Sequence, residues 1–562
     1  MLEFIWIFFI STPPLLLPTN FSKNSIKTKI IFSAVFYILL YSNIGYAFQF
    51  LKIPINFFSV LIAIGIVDLI FIYYLIKNNK INIIKSFNLK KYKKVSKIDI
   101  GLSLILFFSF FLYYYNQSRF FSLVVPDAWY WFSGLNFIAN NGFLFYENSL
   151  WRFDILYWYP DGFHYLWGIT FLPFSATLSY NVVKIIGPLF GVLSLLGLWE
   201  YFSENKSYLI LASLIYTSSM FYLVYRFSMF IPEGMSIFII VSICLIIKRY
   251  GLNSKNIIIL AIIFGLFTNI YHSIGLIMFF LVGIMIIIYK IPNKFSYLSI
   301  YVVSSLFFLL PYIFNYEGIL TYLSHLEHVA KESHLWTNYI KASGIVFYAK
   351  PGVKETVIGF PLSVIYPVVM IKTKLKDRSI VFSSILMIFS ICLGISYLFW
   401  ESNLSSRSVV LFSISSALLF PFFIRDSKSI LNKFFRKHSD KIMHVLLILI
   451  LINRLLIISF AFPTIDDNFP KTENIKMILW MDDNLPLNST IIIENDFYTD
   501  WGYTDWGLTQ VTLNRILYPR KIIFGEENYS VNNPAYIVFY EKSSLGQNII
   551  HRENNLILVE EG

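Results

Sequence analysis

The sequence predicts a mainly α protein: a polytopic transmembrane helix bundle of about fourteen spans with a small extracytoplasmic α/β unit at its C-terminal end. Three observations predict it. Hydrophobic residues make up 57% of the 562 and charged residues only 14%, with a mean hydropathy of +0.64. That is more apolar side chain than a water-soluble surface-to-volume balance can hide. Apolar runs close to 20 residues long recur along the chain, the length that crosses a ~30 Å hydrocarbon core. The last hundred residues then change character, with fifteen Asp and Glu against seven Lys and Arg. Fibrous, disordered and disulfide-framework classes are excluded by the same figures.

Taken in order, the apolar runs place spans at 2–18, 29–49, 56–76, 98–115, 179–202, 207–225, 231–248, 256–271, 272–290, 295–314, 356–372, 379–399, 407–424 and 441–462. The first run holds Glu3, lacks a basic start and precedes no small-residue cleavage site, so it reads as a membrane segment rather than a removable signal. The stretch 163–175 is apolar but too short to cross, and it reads as re-entrant or interfacial. Cys244 and Cys392 lie inside apolar runs, which argues against a disulfide framework and a thiolate metal site.

Basic loops set the orientation. Residues 77–97 hold eight lysines and no acid, and 248–255, 372–378 and 425–441 are also mainly basic. With all four in the cytoplasm, fourteen spans thread consistently. The basic excess, +12 over the whole chain, is then positive-inside bias and not a nucleic-acid footprint. The expected localisation is the cell membrane, multi-pass. Outside lie a long loop at 116–176, shorter ones at 226–233 and 315–355, and the acidic tail from 463. The domains expected are 1–97 (extra N-terminal spans and a basic loop), 98–462 (the main transmembrane unit) and 463–562. In the tail, a helix at Glu473–Asp483 and strands at 489–494, 521–524, 535–540 and 555–559 are expected from alternating or short apolar runs.

Candidate chemistry gathers at the outer membrane face. The long loop opens with VVPDAWYWFSGLNFIANNG, which sets Asp127 beside Trp129, Tyr130 and Trp131, and continues with WRFDILYWYPDGFHYLWG, carrying Asp154, Asp161 and His164. YRFSMFIPEGMSIF puts Arg226 and Glu233 between two spans, and KPGVKETVIGF puts Glu355 before another. A carboxylate with apolar neighbours is costly unless paired or bound to a cation. Acids at one face can hold a hard divalent ion through oxygen ligands, so Asp127, Glu233 and Glu355 are candidate ligands for Mg or Mn. They can equally take a proton from an attacking hydroxyl. Against this stand blander readings: Asp154 as a solvated turn residue, and Glu233 as the partner of Arg226. His272, between two spans, is either a ligand contact or an interfacial histidine. Arg407 either snorkels or holds a phosphate. His325, His328 and His334 read better as an amphipathic surface helix than as a zinc site. The repeat Thr-Asp-Trp-Gly at 499–502 and 504–507 is either a recognition surface or two aromatic turns.

At these residues the sequence resembles the GT-C class of integral-membrane glycosyltransferases, and within it the oligosaccharyltransferase catalytic subunit. PDAWYWFSGLNFIANNG is similar to the family's first outer loop, with Asp127 in its acidic position. YPDGFHYL, with His164, is similar to the loop's close, RFSMFIPEG, with Glu233, to the second outer loop, and VKET offers Glu355. The resemblance covers roughly 98–260 and, loosely, 315–425. Three spans precede the usual first one, and the sequon-reading Trp-Trp-Asp-Tyr-Gly is absent; Asp500–Tyr503 is a degenerate echo. The resemblance implies transfer of a sugar from a polyprenyl-phosphate-linked donor, drawn from the membrane lipid, to a glycan, lipid or protein acceptor outside the cell. Asp127 would be base or metal ligand, with Glu233 and Glu355 as further catalytic or ligand carboxylates. Arg226, Arg407, His164, His272, Trp129 and Tyr130 would contact substrate. Two alternatives are transfer of a lipid-linked glycan to asparagine, and flipping or transport of a lipid-linked saccharide, which would need internal repeats or charges deep in several spans.

Overall fold

The computed structural model describes residues 2–16, 25–77, 100–111 (without 102), 126–142, 161–218, 231–288, 293–314, 346–350, 353–356, 366–373, 377–396, 408–434, 472–493, 520–524, 535–540, 549–553 and 556–561, with Val445, Leu513 and Leu517 singly. Its helices are α1 (Leu2–Leu16), α2 (Ile26–Phe50), α3 (Phe57–Lys77), α4 (Pro126–Asn141), α5 (Gly162–Thr170), α6 (Ala176–Tyr201) and α7 (Lys206–Ser218). They continue with α8 (Pro232–Tyr250), α9 (Ser254–Thr268), α10 (His272–Ile288), α11 (Lys294–Phe314), α12 (Tyr366–Thr373), α13 (Arg378–Ser396), α14 (Ser408–Phe434) and α15 (Thr472–Asn484). The strands are β1 (Val346–Lys350), β2 (Val353–Thr356), β3 (Thr490–Ile493), β4 (Lys521–Phe524), β5 (Ala535–Tyr540), β6 (Ile549–Glu553) and β7 (Leu556–Glu561).

Among the described residues four helices are long and apolar enough to cross a membrane: α2, α3, α6 and the 410–429 part of α14. Helices α1, α9, α10, α11 and α13 hold shorter apolar stretches. Helix starts follow from side-chain caps that satisfy first-turn amides. Ser25, Ser175 and Asn253 accept from Thr28, Leu178 and Asn256. Gly251 ends α8 at φ +68°, a left-handed backbone that glycine adopts without Cβ strain.

Of the expected span at 356–372, residues 357–365 lie outside the described residues. Residues 353–356 form β2, paired antiparallel with β1 in a hairpin, and the described helical part is Tyr366–Thr373. The Pro351-Gly352 turn signal separates the two strands. The span expected at 441–462 lies outside the described residues, apart from Val445. The apolar stretch 163–175 holds α5, whose nine residues are all buried, so it packs inside protein instead of lying on a surface.

Helix α8 runs through the middle of the bundle, with every residue from Pro232 to Ile247 buried. It packs against α6, where Phe190 and Phe238 stack at 6.0 Å, and against α2 and α13. At its far end Arg249 pairs with Glu200 at 2.8 Å and reaches Thr28, while Lys248 donates to the Tyr201 carbonyl. That end therefore joins the start of α2 to the ends of α6 and α8.

The tail strands form one five-stranded sheet in the order β4-β3-β5-β7-β6. Strand β3 is parallel to β4 and β5, while β7 is antiparallel to β5 and β6. Helix α15 packs on α6, β6 and β7, with Trp480 stacked on His551 at 4.1 Å.

Candidate functional site

The described candidates cluster at the end of the bundle where α4, α6, α8 and α10 begin. Glu233 sits in the first turn of α8, 6% exposed, and Oε1 accepts from the Tyr271 hydroxyl at 3.0 Å. A carboxylate suits that place, because a helix N-terminus favours negative charge. Tyr271 ends the turn between α9 and α10, His272 opens α10, and both are fully buried. Two residues earlier, Asn269 accepts from the Gly162 amide at 3.1 Å and from the Tyr46 hydroxyl at 2.8 Å. Its side chain donates to Asn43 at 3.0 Å and to the Phe308 carbonyl at 3.1 Å. This one turn ties α2, α5 and α11 to the residues that hold Glu233.

Helix α5 brings the histidine. His164 is 1% exposed, its Nδ1 lies 3.8 Å from Asp161 Oδ1, and its ring packs on Trp131 at 4.5 Å. Gly134 faces the same imidazole, so closely that an added Cβ would collide with it. Only glycine at 134 lets α4 lie against the ring. On the other side Gly45 of α2 leaves room for Tyr165. Helix α4 thus packs through Trp131 on His164 of α5, α5 is bonded through the Gly162 amide to Asn269, and the turn from Asn269 carries Tyr271 to Glu233.

Asp127 lies in the first turn of α4, whose backbone continues to Trp131 and Gly134; the Asp127, Trp129 and Tyr130 side chains are outside the described residues. Arg226, Arg407, Asp154, His325, His328, His334 and the repeat at 499–507 are outside as well. Glu355 is described in its backbone only. It lies on strand β2, in register with Phe347 of β1. The described residues contain no group of three His, Cys, Asp or Glu side chains spaced to hold a metal ion. Sequence reasoning missed Asn269, Tyr271 and Gly134. Their only signal was position, in the turn TNIYHS and in the middle of a motif read for its acid.

The acidic tail closes over this end. Asp483 of α15 accepts from the Ala176 and Thr177 amides at 2.9 and 3.3 Å, capping α6 with a carboxylate from three hundred residues away. Next to it, Asp482 accepts from Asn136 of α4 at 3.0 Å and pairs with Arg520 at 3.0 Å. Arg520 also donates to the Asp482 and Leu485 carbonyls at 2.9 and 2.7 Å. Burial pushes the Asp482 carboxyl up to about 6, partly offset by the Asn136 and Arg520 bonds. Helix α4 is therefore held at one point by His164 and at another by the tail.

The architecture is an apolar helix bundle with buried carboxylate, histidine and aromatic groups at one end, under an α/β tail. No family model matches the sequence, and no curated protein matches it. Among solved structures the chain is similar to the Archaeoglobus fulgidus oligosaccharyltransferase, solved with a disulfide-tethered acceptor peptide containing the NVT sequon. The match has 13% identity and a TM-score of 0.43, and it covers 78% of this chain and 69% of that one. A likeness of that size carries no residue-by-residue correspondence.

Proposed function

We propose that the chain is a membrane glycosyltransferase that moves a sugar from a polyprenyl-phosphate-linked donor to an acceptor on the extracytoplasmic side. The observation that supports it most is the bracing of α4 and Glu233 by one set of elements: Trp131 on His164 of α5, the Gly162 amide of α5 on Asn269, and Tyr271 of the same turn on Glu233. It holds a buried carboxylate and the acid-bearing helix in fixed relation at one end of a bilayer-length bundle.

The donor reaches this end sideways from the lipid. Asp127 takes the proton of the acceptor group as its oxygen or nitrogen attacks the anomeric carbon. The bond from that carbon to the phosphate oxygen breaks, the configuration inverts, and polyprenyl phosphate leaves with the electron pair. Arg226 and Arg407 stabilise the charge that develops on the phosphate. Glu233 is a hard oxygen donor, the type that suits Mg or Mn. With Asp127 and Glu355 it would hold such an ion, which when bound supplies further charge stabilisation. His164, packed between Trp131 and Asp161, fixes the orientation of α4 and hence of Asp127.

The test is transfer from a panel of radiolabelled polyprenyl-phosphate sugars by purified protein in liposomes, with glycan, lipid and peptide acceptors in separate arms. Asp127→Asn keeps shape and removes charge, so transfer should fall by about 10²–10⁴-fold with expression unchanged. An Asp127→Asn variant with undiminished turnover would overturn the role given to Asp127, and no transfer from any donor by the unaltered protein would favour a flippase.

A further inference from the structure

One side of the bundle has a feature that glycosyl transfer does not use, a groove that runs from beside Asn43 to the end opposite Glu233. Between α2 and α9, with Ile246 and Tyr250 of α8 at its floor, lies this groove of about 880 Å³. Its α2 wall is the stripe Phe32, Phe36, Leu40, Asn43 and Ala47, spaced three and four apart on one helix face. From Phe32 to Ala47 that stripe is roughly 22 Å long at 1.5 Å per residue, against about 15 Å for half the hydrocarbon core. The α9 wall repeats the pattern with Ile259, Ile262 and Leu266.

Apolar fit alone chooses nothing in a bilayer, because lipid chains are as apolar as the walls. The choice comes from the ends. Continuing the α9 stripe back by one turn gives Lys255, an exposed lysine that lines the groove. Continuing the α2 stripe back from Phe32 gives Lys29, three residues earlier and on the same face. The α9 wall therefore ends in a lining lysine, the α2 stripe runs into a second one a turn beyond Phe32, and neither helix has an acid in its first turn.

We propose that this groove is a binding site for an anionic diacyl phospholipid, its chains along α2 and α9 and its phosphate between Lys29 and Lys255. Basic pockets between membrane helices select charged headgroups in this way. The lipid is not the sugar donor. The lysine mouth adjoins Thr28 and Arg249, at the end of α8 opposite Glu233, so a headgroup held there cannot reach the candidate site.

Native mass spectrometry of the full-length protein can test this, after exchange into an equimolar mixture of phosphatidylglycerol and phosphatidylcholine with identical chains. Preferential retention of phosphatidylglycerol by on the order of tenfold is expected, because both lipids carry the phosphate but only phosphatidylcholine offsets it with a cation that two lysines repel. In Lys29→Gln/Lys255→Gln that preference should fall to near parity, with phosphatidylcholine retention unchanged as evidence of folding. Equal retention of the two lipids by the unaltered protein would overturn the proposal. So would an undiminished preference in the double variant. A third arm adds polyprenyl phosphate, and its displacement of phosphatidylglycerol would overturn the choice of a diacyl lipid. None of these readouts depends on glycosyl transfer, so this site and the catalytic reading fail separately.

Discussion

Helices α3 and α8 are close in length, 21 and 19 residues, and each carries one carboxylate among apolar residues, yet they occupy opposite environments. On α3 only Val60, Ile64 and Leu75 are buried, and Phe58 and Leu69 are 74% and 67% exposed. Sixteen consecutive residues of α8 are buried. Both acids accept from a hydroxyl: Asp68 from Thr12 at 2.6 Å, Glu233 from Tyr271 at 3.0 Å. The difference lies in what surrounds them. Asp68 is mid-helix on a peripheral element, where its contact joins α1 to α3. Glu233 starts a helix enclosed on every side and tied through one turn to three others. An acid in an apolar run becomes a site when the elements around it fix its position, and α3 supplies no such enclosure.

The sharpest way to break that contrast is to neutralise each acid. Glu233→Gln should lower transfer by about 10²–10⁴-fold, as expected for a group that handles a proton or holds an ion. Asp68→Asn should leave the transfer rate unchanged in the same liposome assay. Equal effects from the two would remove the distinction.

A packing test comes next. At Gly197 of α6 an added Cβ would lie 2.6 Å from Val241 Cγ1 on α8, whereas at Gly65 of α3 nothing lies within 4 Å. Gly197→Leu should destabilise by about 1–3 kcal/mol through overpacking. Gly65→Ala should stabilise by about 0.5–1 kcal/mol, because a helix-interior glycine gives up conformational freedom without any contact in return. Thermal unfolding of the two variants in one detergent checks both signs.

Smaller again is the effect of pH on the tail. The Asp482 carboxyl is raised to about 6 in the folded protein, above the ordinary value near ~3.9 of an unfolded chain. Between those values the folded state binds more protons. The contribution of Asp482 to stability is therefore fully present below about 4 and is lost as pH rises through about 6. Protection of α15 and the sheet in hydrogen exchange should increase on acidification across that window. Asp482→Asn should flatten the slope, and an unchanged slope would assign the titration to another group.

Much of the fold was legible because periodicity reports burial locally. The helix at 472–484 and the strands at 490–493, 521–524, 535–540 and 556–561 lie where apolar runs such as TIII and AYIVFY place them. Strand β6, IIHRE, escaped because half of it is polar and its pairing with β7 is what makes it a strand. The β1–β2 hairpin escaped for a related reason: nothing in VKET marks a strand until Phe347 is seen opposite Glu355. Of the candidate site, Glu233 and His164 were legible as polar residues with apolar neighbours. Asn269, Tyr271 and Gly134 were not, since nothing local marks a turn that braces distant helices or a glycine that makes room for a ring.

The sequence by itself determined a membrane-spanning helical chain with an acidic α/β tail, because hydropathy and alternation depend on a residue and its near neighbours. Only the tertiary structure decided which apolar helices are enclosed and which face outward, because α3 and α8 read alike until their neighbours are in place. It likewise decided that Asp483 caps α6 and that Asp482 reaches Asn136. Those bonds join residues about three hundred positions apart, a separation at which chain proximity constrains nothing and packing alone chooses the partner.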